Sequence, residues 1–460
     1  MPDNDIEAIK RDLHGAFDRM IEDLRAARDA IDTPELYPPP ATERNLAEGY
    51  RYVLGFLLGS IERALADPLD ARFRRSIQPM NRSTIDNSDA VYLGAEIDGN
   101  HSYVVRGRAL DSRHWRGASP VEGPRAPQYV IFELASGHAG DSGGLREMRP
   151  GARINTATLD CRDLQVAEDG SFDILVAPEK PAGYEGNFML SRRESHGSEY
   201  VGRYLSCREL FHDWAHEDLL DLEILRLGCE REPRPAIDAA AAISLMERVG
   251  ELTKNQVHFW NAFYTITLET YGKVAGSPSA IGGSDRQFMP VNDMNPPNAL
   301  GLATGGGQST NIYSGGVYRL SRDEALVFEC ELRETPSFMG FHLSNLWGES
   351  LDFESYQSSL NGHMLERDDD GMYRWVVAHR DPGVPNWVDT SGLDQGYLTI
   401  RWTYSEPPPQ ENWPAIRVRK IAFVEIRDAL PGNTRCVASE ERAQNILMRH
   451  RHVQRRYRQY

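Results

Sequence analysis

Residues 341–402 read FHLSNLWGESLDFESYQSSLNGHMLERDDDGMYRWVVAHRDPGVPNWVDTSGLDQGYLTIRW. Two runs in this stretch decide the fold. In Tyr373–His379, alternation puts Tyr373, Trp375, Val377 and His379 on one face of a strand. In Tyr397–Trp402, Tyr397, Thr399 and Arg401 share one face, and Leu398, Ile400 and Trp402 take the other. The turn residues Asp381-Pro382-Gly383 lie between the runs. Period-two hydrophobicity punctuated by tight turns is the pattern of antiparallel strands. The same stretch gathers Asn345, Trp347, Asp352, Asn386, Trp387 and Asp389 near strand ends. A structural sheet does not need so many polar and aromatic groups there, whereas function sits on loops held by a rigid scaffold.

Upstream the period of two returns. Val91, Leu93, Ala95 and Ile97 alternate with Tyr92, Gly94 and Glu96. Asp98-Gly99 and Asp169-Gly170 supply hairpin turn signals. YVIFEL (129–134), INTATL (154–159) and FDILVAP (172–178) extend the strands. The stretch Arg203–Leu227 predicts a helix and a strand. No internal repeat is evident.

Helical spacing appears in other places. Ile6, Ile9, Leu13, Phe17, Met20, Leu24 and Ile31 form one apolar stripe, stopped by Pro34 and Pro38-Pro39-Pro40. Thr42 is a cap for a second helix that ends near Pro68. A third runs from Ala236 to about Tyr271, and a fourth starts at Ser439. The first two predict a hairpin packed on the body or a dimer interface. Ser277–Gly316, rich in Gly, Pro and Asn, reads as a lid or a wrapping loop. The expected fold class is α+β and mostly β. It comprises two antiparallel sandwich or jelly-roll-like domains at 84–230 and 285–430. Helical segments at 1–75, 236–275 and 437–460 join and flank them.

WGESLDF, VVAHRDPGVPNWVDTSG and YLTIRW resemble the C-terminal signature of a bacterial domain-of-unknown-function family, number 1214. Asp86–Gly107, Phe211–Leu227 and Val317–Leu332 resemble further blocks of the same proteins. The resemblance implies a mostly β C-terminal domain and little about chemistry. The region of family 1254 that often precedes it has no clear counterpart, and a helical segment stands in its place.

Composition narrows the function classes. The 460 residues are 40% hydrophobic and 9% aromatic, which fits globular units with sizeable cores. No apolar run approaches the ~20 residues of a membrane span, and no leader pattern opens the chain. Five cysteines without paired spacing fit free thiols in a reducing cytoplasm. A net charge of −17 repels phosphate backbones, so nucleic acid is not an expected partner. The basic tail RHRHVQRRYRQY reads as a helix docked on an acidic surface of the same protein or its oligomer.

Three motifs compete for chemistry. Gly140-Asp141-Ser142-Gly143-Gly144 spells a serine-protease nucleophile motif, but no histidine block accompanies it, so it reads as a loop. His212 and His216 have i, i+4 spacing for zinc on one helical face, with Asp213 as base. Without a metal, Asp213 and Glu217 would line a pocket. In the C-terminal stretch His379 is the candidate acid or base, oriented by Asp381, and Arg401 clamps an anion or carbonyl. Asn345, Trp347, Asp352, Asn386, Trp387 and Asp389 are the candidate binding residues. Gly305-Gly306-Gly307 lacks the frame of a phosphate cradle. The expected function is a cofactor-independent lyase, isomerase or hydrolase acting on a hydrophobic small molecule such as a terpenoid, steroid or polyketide. The alternatives are a non-catalytic ligand- or carbohydrate-binding β-sandwich protein, a zinc-dependent hydrolase using His212 and His216, and a scaffold acting through its terminal helices and basic tail.

Overall fold

The computed structural model describes residues 3–33, 39–120, 122–149, 151–229, 236–267, 289–299 and 308–457. The expectations at Pro34, Pro38, Tyr271, Gly305–Gly307 and Arg458, and much of Ser277–Gly316, fall outside these residues.

Three long helices form where apolar stripes were read. They are α1 (Asp3–Asp29), α2 (Glu43–Ala64) and α3 (Ala239–Thr265). Thr42 caps α2 by accepting Asn45 N at 3.1 Å, and Asp238 caps α3 by accepting Ala241 N at 2.8 Å. The first two helices pack chiefly on α3, not on each other. Ala27, Ile31, Tyr52, Phe56, Val257 and Trp347 share the resulting apolar cluster.

The first β region holds β1 (Arg74–Ile77), β2 (Ala90–Glu96), β3 (Tyr103–Arg108), β4 (Tyr129–Ala135), β5 (Asn155–Asp160) and β6 (Ser171–Ala177). It continues with β7 (Asn187–Leu190), β8 (Arg192–Ser195), β9 (Ser198–Val201), β10 (Tyr204–Leu210) and β11 (Asp221–Arg226). The second region holds β12 (Asn311–Arg319), β13 (Glu324–Glu331), β14 (Phe338–Ser344) and β15 (Ser359–Asn361). After these come β16 (Tyr373–Ala378), β17 (Trp387–Asp389), β18 (Gln395–Thr403) and β19 (Ala415–Ala422). Each region folds as two facing sheets over its own core. The fold is α+β, mostly β, as expected.

The two sandwiches repeat one topology. The sheet order β2-β10-β4-β5 is matched by β12-β18-β14-β15, and β11-β3-β6-β7 by β19-β13-β16-β17. Both second sheets end in a parallel pair, β6 with β7 and β16 with β17. The polar staples repeat too. Asn187 donates to Asp173 O and Gln165 O, each at 2.9 Å, and accepts Gln165 N at 2.7 Å. Asn386 donates to Arg374 O and Glu366 O, each at 2.7 Å, and accepts Glu366 N at 2.9 Å. The chain is thus a structural duplication, a repeat not evident in the sequence. Strand β1 and the hairpin β8–β9 are additions to the first half.

Two local expectations are corrected. Phe211–Leu220 is not helical but a loop between β10 and β11. Glu217 takes the place of helical partners there, accepting His212 N at 2.8 Å, Asp213 N at 3.1 Å and Gln128 N at 3.0 Å. Neither Asp98-Gly99 nor Asp169-Gly170 closes a hairpin, because the strands they join, β2 to β3 and β5 to β6, lie in different sheets. The last helix, α4 (Ser439–Tyr457), buries Arg449, His452 and Arg456 against the body. No helix among the described residues is long and apolar enough to cross a membrane.

Candidate functional site

A cavity of 410 Å3 lies between the matching strands of the two halves, walled also by α2 and α3. Alternation aims the side chains. Leu205 and Cys207 of β10 enter the first core while Ser206 and Arg208 face the cavity. On β18, Leu398, Ile400 and Trp402 enter the second core while Thr399 and Arg401 face the cavity. The lining is split in character. Phe56, Phe259, Trp260, Phe263 and Met289 form an apolar wall. Arg63, Arg74, Arg153, Arg208 and Arg401 form a basic one, with Asp86 as the carboxylate lining the same space.

The duplication places two tyrosine–arginine pairs here. Arg208 stands opposite Tyr92, with its guanidinium 5.9 Å from the ring centre. Arg401 stands opposite Tyr313 at 5.8 Å. Each tyrosine hydroxyl accepts the backbone N–H of the residue five positions earlier, Asn87 at 2.8 Å and Gln308 at 3.0 Å.

His138 also lines the cavity, and a carboxylate outside the lining holds it. His138 Nε2 lies 2.8 Å from Glu96 Oε1, and the His138 ring lies against Tyr204, tilted by 42°, at 4.0 Å between centres. Glu96 also receives Arg74 at 2.9 Å. Burial would raise the Glu96 carboxyl, but His138, Arg63 and Arg74 together draw it down to about 2. Burial pushes the His138 imidazole below its ordinary value, with Arg63 adding to this and Glu96 opposing. Near neutrality the pair is therefore carboxylate and neutral imidazole. With Nε2–H donated to Glu96, Nδ1 carries the lone pair, and no described residue hydrogen-bonds to it. That is the arrangement of a general base.

Of the residues expected from sequence, Arg401 reaches this cavity. The others do not line it. His379 sits between Leu320 O at 3.1 Å and Thr390 Oγ1 at 2.7 Å, a core-edge staple. Asp381 does not orient it; it accepts Gly383 N at 2.8 Å and pairs with Arg442 of α4 at 3.0 Å. Asn386 is the duplicated staple. Trp387 packs under Arg442 and donates to Ala378 O at 3.1 Å. Asp389 accepts Ser391 N at 2.8 Å. Asn345 holds Glu349 at 2.7 Å, and Asp352 accepts Glu354 N at 3.1 Å and Ser355 N at 2.9 Å. Trp347 is buried beneath α2. Asp213 pairs with Arg125 at 2.7 Å and His216 at 2.8 Å. Glu217 is fully buried in the loop it organises, and burial lifts its carboxyl to about 7 against three backbone N–H bonds.

The zinc alternative loses its geometric basis. His212 and His216 share no helical face, and His212 Nε2 accepts Met339 N at 3.2 Å. Among the described residues no cluster of three His, Cys, Asp or Glu side chains is placed to hold a metal.

Sequence reading missed His138 and Glu96. His138 sits in the loop after β4 and Glu96 ends β2, 42 positions apart, with no motif linking them.

A crystal structure of an uncharacterized protein from Burkholderia cenocepacia aligns at TM-score 0.70 and 23% identity, over 90% of this chain and 99% of that one. The fold is shared. The VPA0106 protein from Vibrio parahaemolyticus aligns at TM-score 0.41 and 10% identity, over 86% of this chain and all of that one. No protein-family model matches the chain, and no curated protein does.

Proposed function

We propose that the chain is an enzyme that takes a hydrophobic small molecule into the cavity between its two halves, where His138 acts as general base. The observation that carries this is His138, held by Glu96, on the wall of a 410 Å3 space that Phe56, Phe259, Trp260 and Phe263 also line. Apolar walls with a few placed polar groups are the usual make-up of small-molecule sites. Glu96 is a positioning residue: it fixes the tautomer that leaves Nδ1 basic. The motifs of Trp347–Trp402 support membership of family 1214 as part of the same proposal. The saccharide alternative draws no support from the tryptophans, because none of the eight is exposed.

The test uses 5-nitrobenzisoxazole, a compact apolar probe for a buried base. The base removes the C3 proton, the C–H pair forms the nitrile, and the N–O bond breaks to release a phenolate. The wild type is expected to exceed His138→Gln by about 100-fold in kcat/KM, the lower end of general-base contributions. The rate belongs to the neutral imidazole. It holds through neutral pH and falls only as pH drops below the ordinary imidazole value of about 6.5. Glu96→Gln lowers the rate as well and alters the pH profile. Equal rates for wild type and His138→Gln would remove the base from the proposal.

A further inference from the structure

The duplication offers an internal control for the charge of Arg401. In the first half Arg208 stands opposite Ile131 of β4 in the ladder. Two residues further along β4 is Glu133, whose carboxylate lies 2.9 Å from the Arg208 guanidinium. In the second half Arg401 stands opposite Gly340 of β14. Two residues further along β14 is His342, whose Nδ1 lies 3.4 Å from Arg401 Nη1. The same position therefore holds a carboxylate in one half and an imidazole in the other.

The exchange changes the charge of the cavity wall. His342 is 1% exposed, and burial and Arg401 both hold it neutral far below the ordinary imidazole value. It can accept a hydrogen bond, but it cannot neutralise a guanidinium. The other bond of Arg401 is to Ile85 O at 3.0 Å, again an uncharged acceptor. Asp86, on the same wall, bonds to Ser350 N at 2.9 Å and Ser350 Oγ at 2.7 Å. No ion pair within 4.0 Å involves Arg401 among the described residues, although it is 6% exposed. The charge of Asp86 acts on Arg401 from beyond ion-pair distance. A buried guanidinium with no directly paired counter-charge is costly, and a bound anion would supply one.

We infer that Arg401 holds the oxyanion of an amphipathic small molecule, a carboxylate, sulfonate or phosphate whose apolar body lies against Phe259, Trp260 and Phe263. This rests on the cavity-binding proposal above and adds the chemical class of the ligand. Arg208 cannot serve equally, because Glu133 already neutralises it.

Two dyes of nearly equal apolar shape separate the claims. They are 8-anilinonaphthalene-1-sulfonate and N-phenyl-1-naphthylamine, which lacks the sulfonate. Fluorescence titration of the full chain is expected to give about 10- to 100-fold tighter binding of the sulfonate, the range of a hydrogen bond to a charged group. Arg401→Met removes that preference and leaves the neutral dye bound as before. His342→Glu, which copies Glu133 into the second half, removes the preference while Arg401 stays in place. Unchanged neutral-dye binding shows that each variant is folded with its cavity intact. A sulfonate preference that survives both variants overturns the assignment to Arg401 and leaves cavity binding standing. Failure of the wild type to bind either dye overturns cavity binding itself.

Discussion

Asp89→Ala is expected to destabilise the chain by about 3–5 kcal/mol, the cost of removing one partner from a buried charged cluster. Asp89 is fully buried at the entry to β2. Its Oδ1 accepts Trp214 Nε1 at 3.0 Å and Asn361 Nδ2 at 2.8 Å. Through these it ties the first sandwich to the loop after β10 and to β15 of the second. Its charge also acts on Arg449 and Arg456, which α4 carries into the same interior. Burial lowers Arg449 to about 10 and pushes Arg456 down as well, with Asp89 opposing both shifts. Removing the carboxylate leaves two buried guanidiniums facing each other without it. Asp89→Ala combined with Arg449→Met and Arg456→Met should recover part of the loss, since no buried charge then remains in the cluster. Urea unfolding measures both, and a loss below about 1 kcal/mol for the single variant would sink the argument.

The pH dependence of this cluster has a definite sign. Burial raises the Asp89 carboxyl from 3.8 to about 6. The native chain therefore holds that proton more tightly than the unfolded chain. Stability from this group is full below about pH 4 and is lost as pH rises through about 6. The difference between wild type and Asp89→Asn should shrink by about 3 kcal/mol across that window, at 1.36 kcal/mol per pKa unit. Glu96 works in the opposite sense, because its folded value of about 2 lies below the unfolded one. Its contribution is present above about pH 4.5 and is lost as pH falls toward 2.

The sequence shows the strands and long helices plainly because alternation and apolar stripes are local. The facing of Thr399 and Arg401 away from Leu398, Ile400 and Trp402 follows from period two alone, and that face lines the cavity. The neighbouring polar residues misled for a physical reason. Asn386, Asp381 and Asp389 satisfy backbone N–H and C=O groups at strand ends, which any buried rim must do. A side chain bonded to its own turn looks, in sequence, like one aimed at a ligand. The repeat was hidden because its staples stand on unlike neighbours. Asn187 follows Ala177 by ten residues, whereas Asn386 follows Ala378 by eight. The His138–Glu96 pair was illegible because strand pairing, not sequence proximity, brings it together.

Trp347→Ala is expected to lower stability by about 3–5 kcal/mol, the range for deleting a buried indole, and to weaken cavity binding with it. Trp347 is 1% exposed and donates Nε1–H to Asn45 O at 2.8 Å. Its ring lies 5.2 Å from Tyr52. The fit against α2 is close enough that a methyl group at Gly49 would stand 2.7 Å from Trp347 Cζ2. Truncation opens a void between α2 and the second sandwich and removes a second hydrogen bond from a helical carbonyl. The same helix carries Phe56 and Arg63 to the cavity wall. Loss of its anchor should therefore weaken the neutral dye and the sulfonate alike, unlike Arg401→Met, which affects only the sulfonate. Trp347→Phe keeps most of the packing and loses only the hydrogen bond, so about 1 kcal/mol of its loss belongs to that bond. If Trp347 touched the ligand directly, alanine would lower dye affinity with little change in urea midpoint. A full loss of stability together with both dye affinities assigns it instead to holding the wall in place.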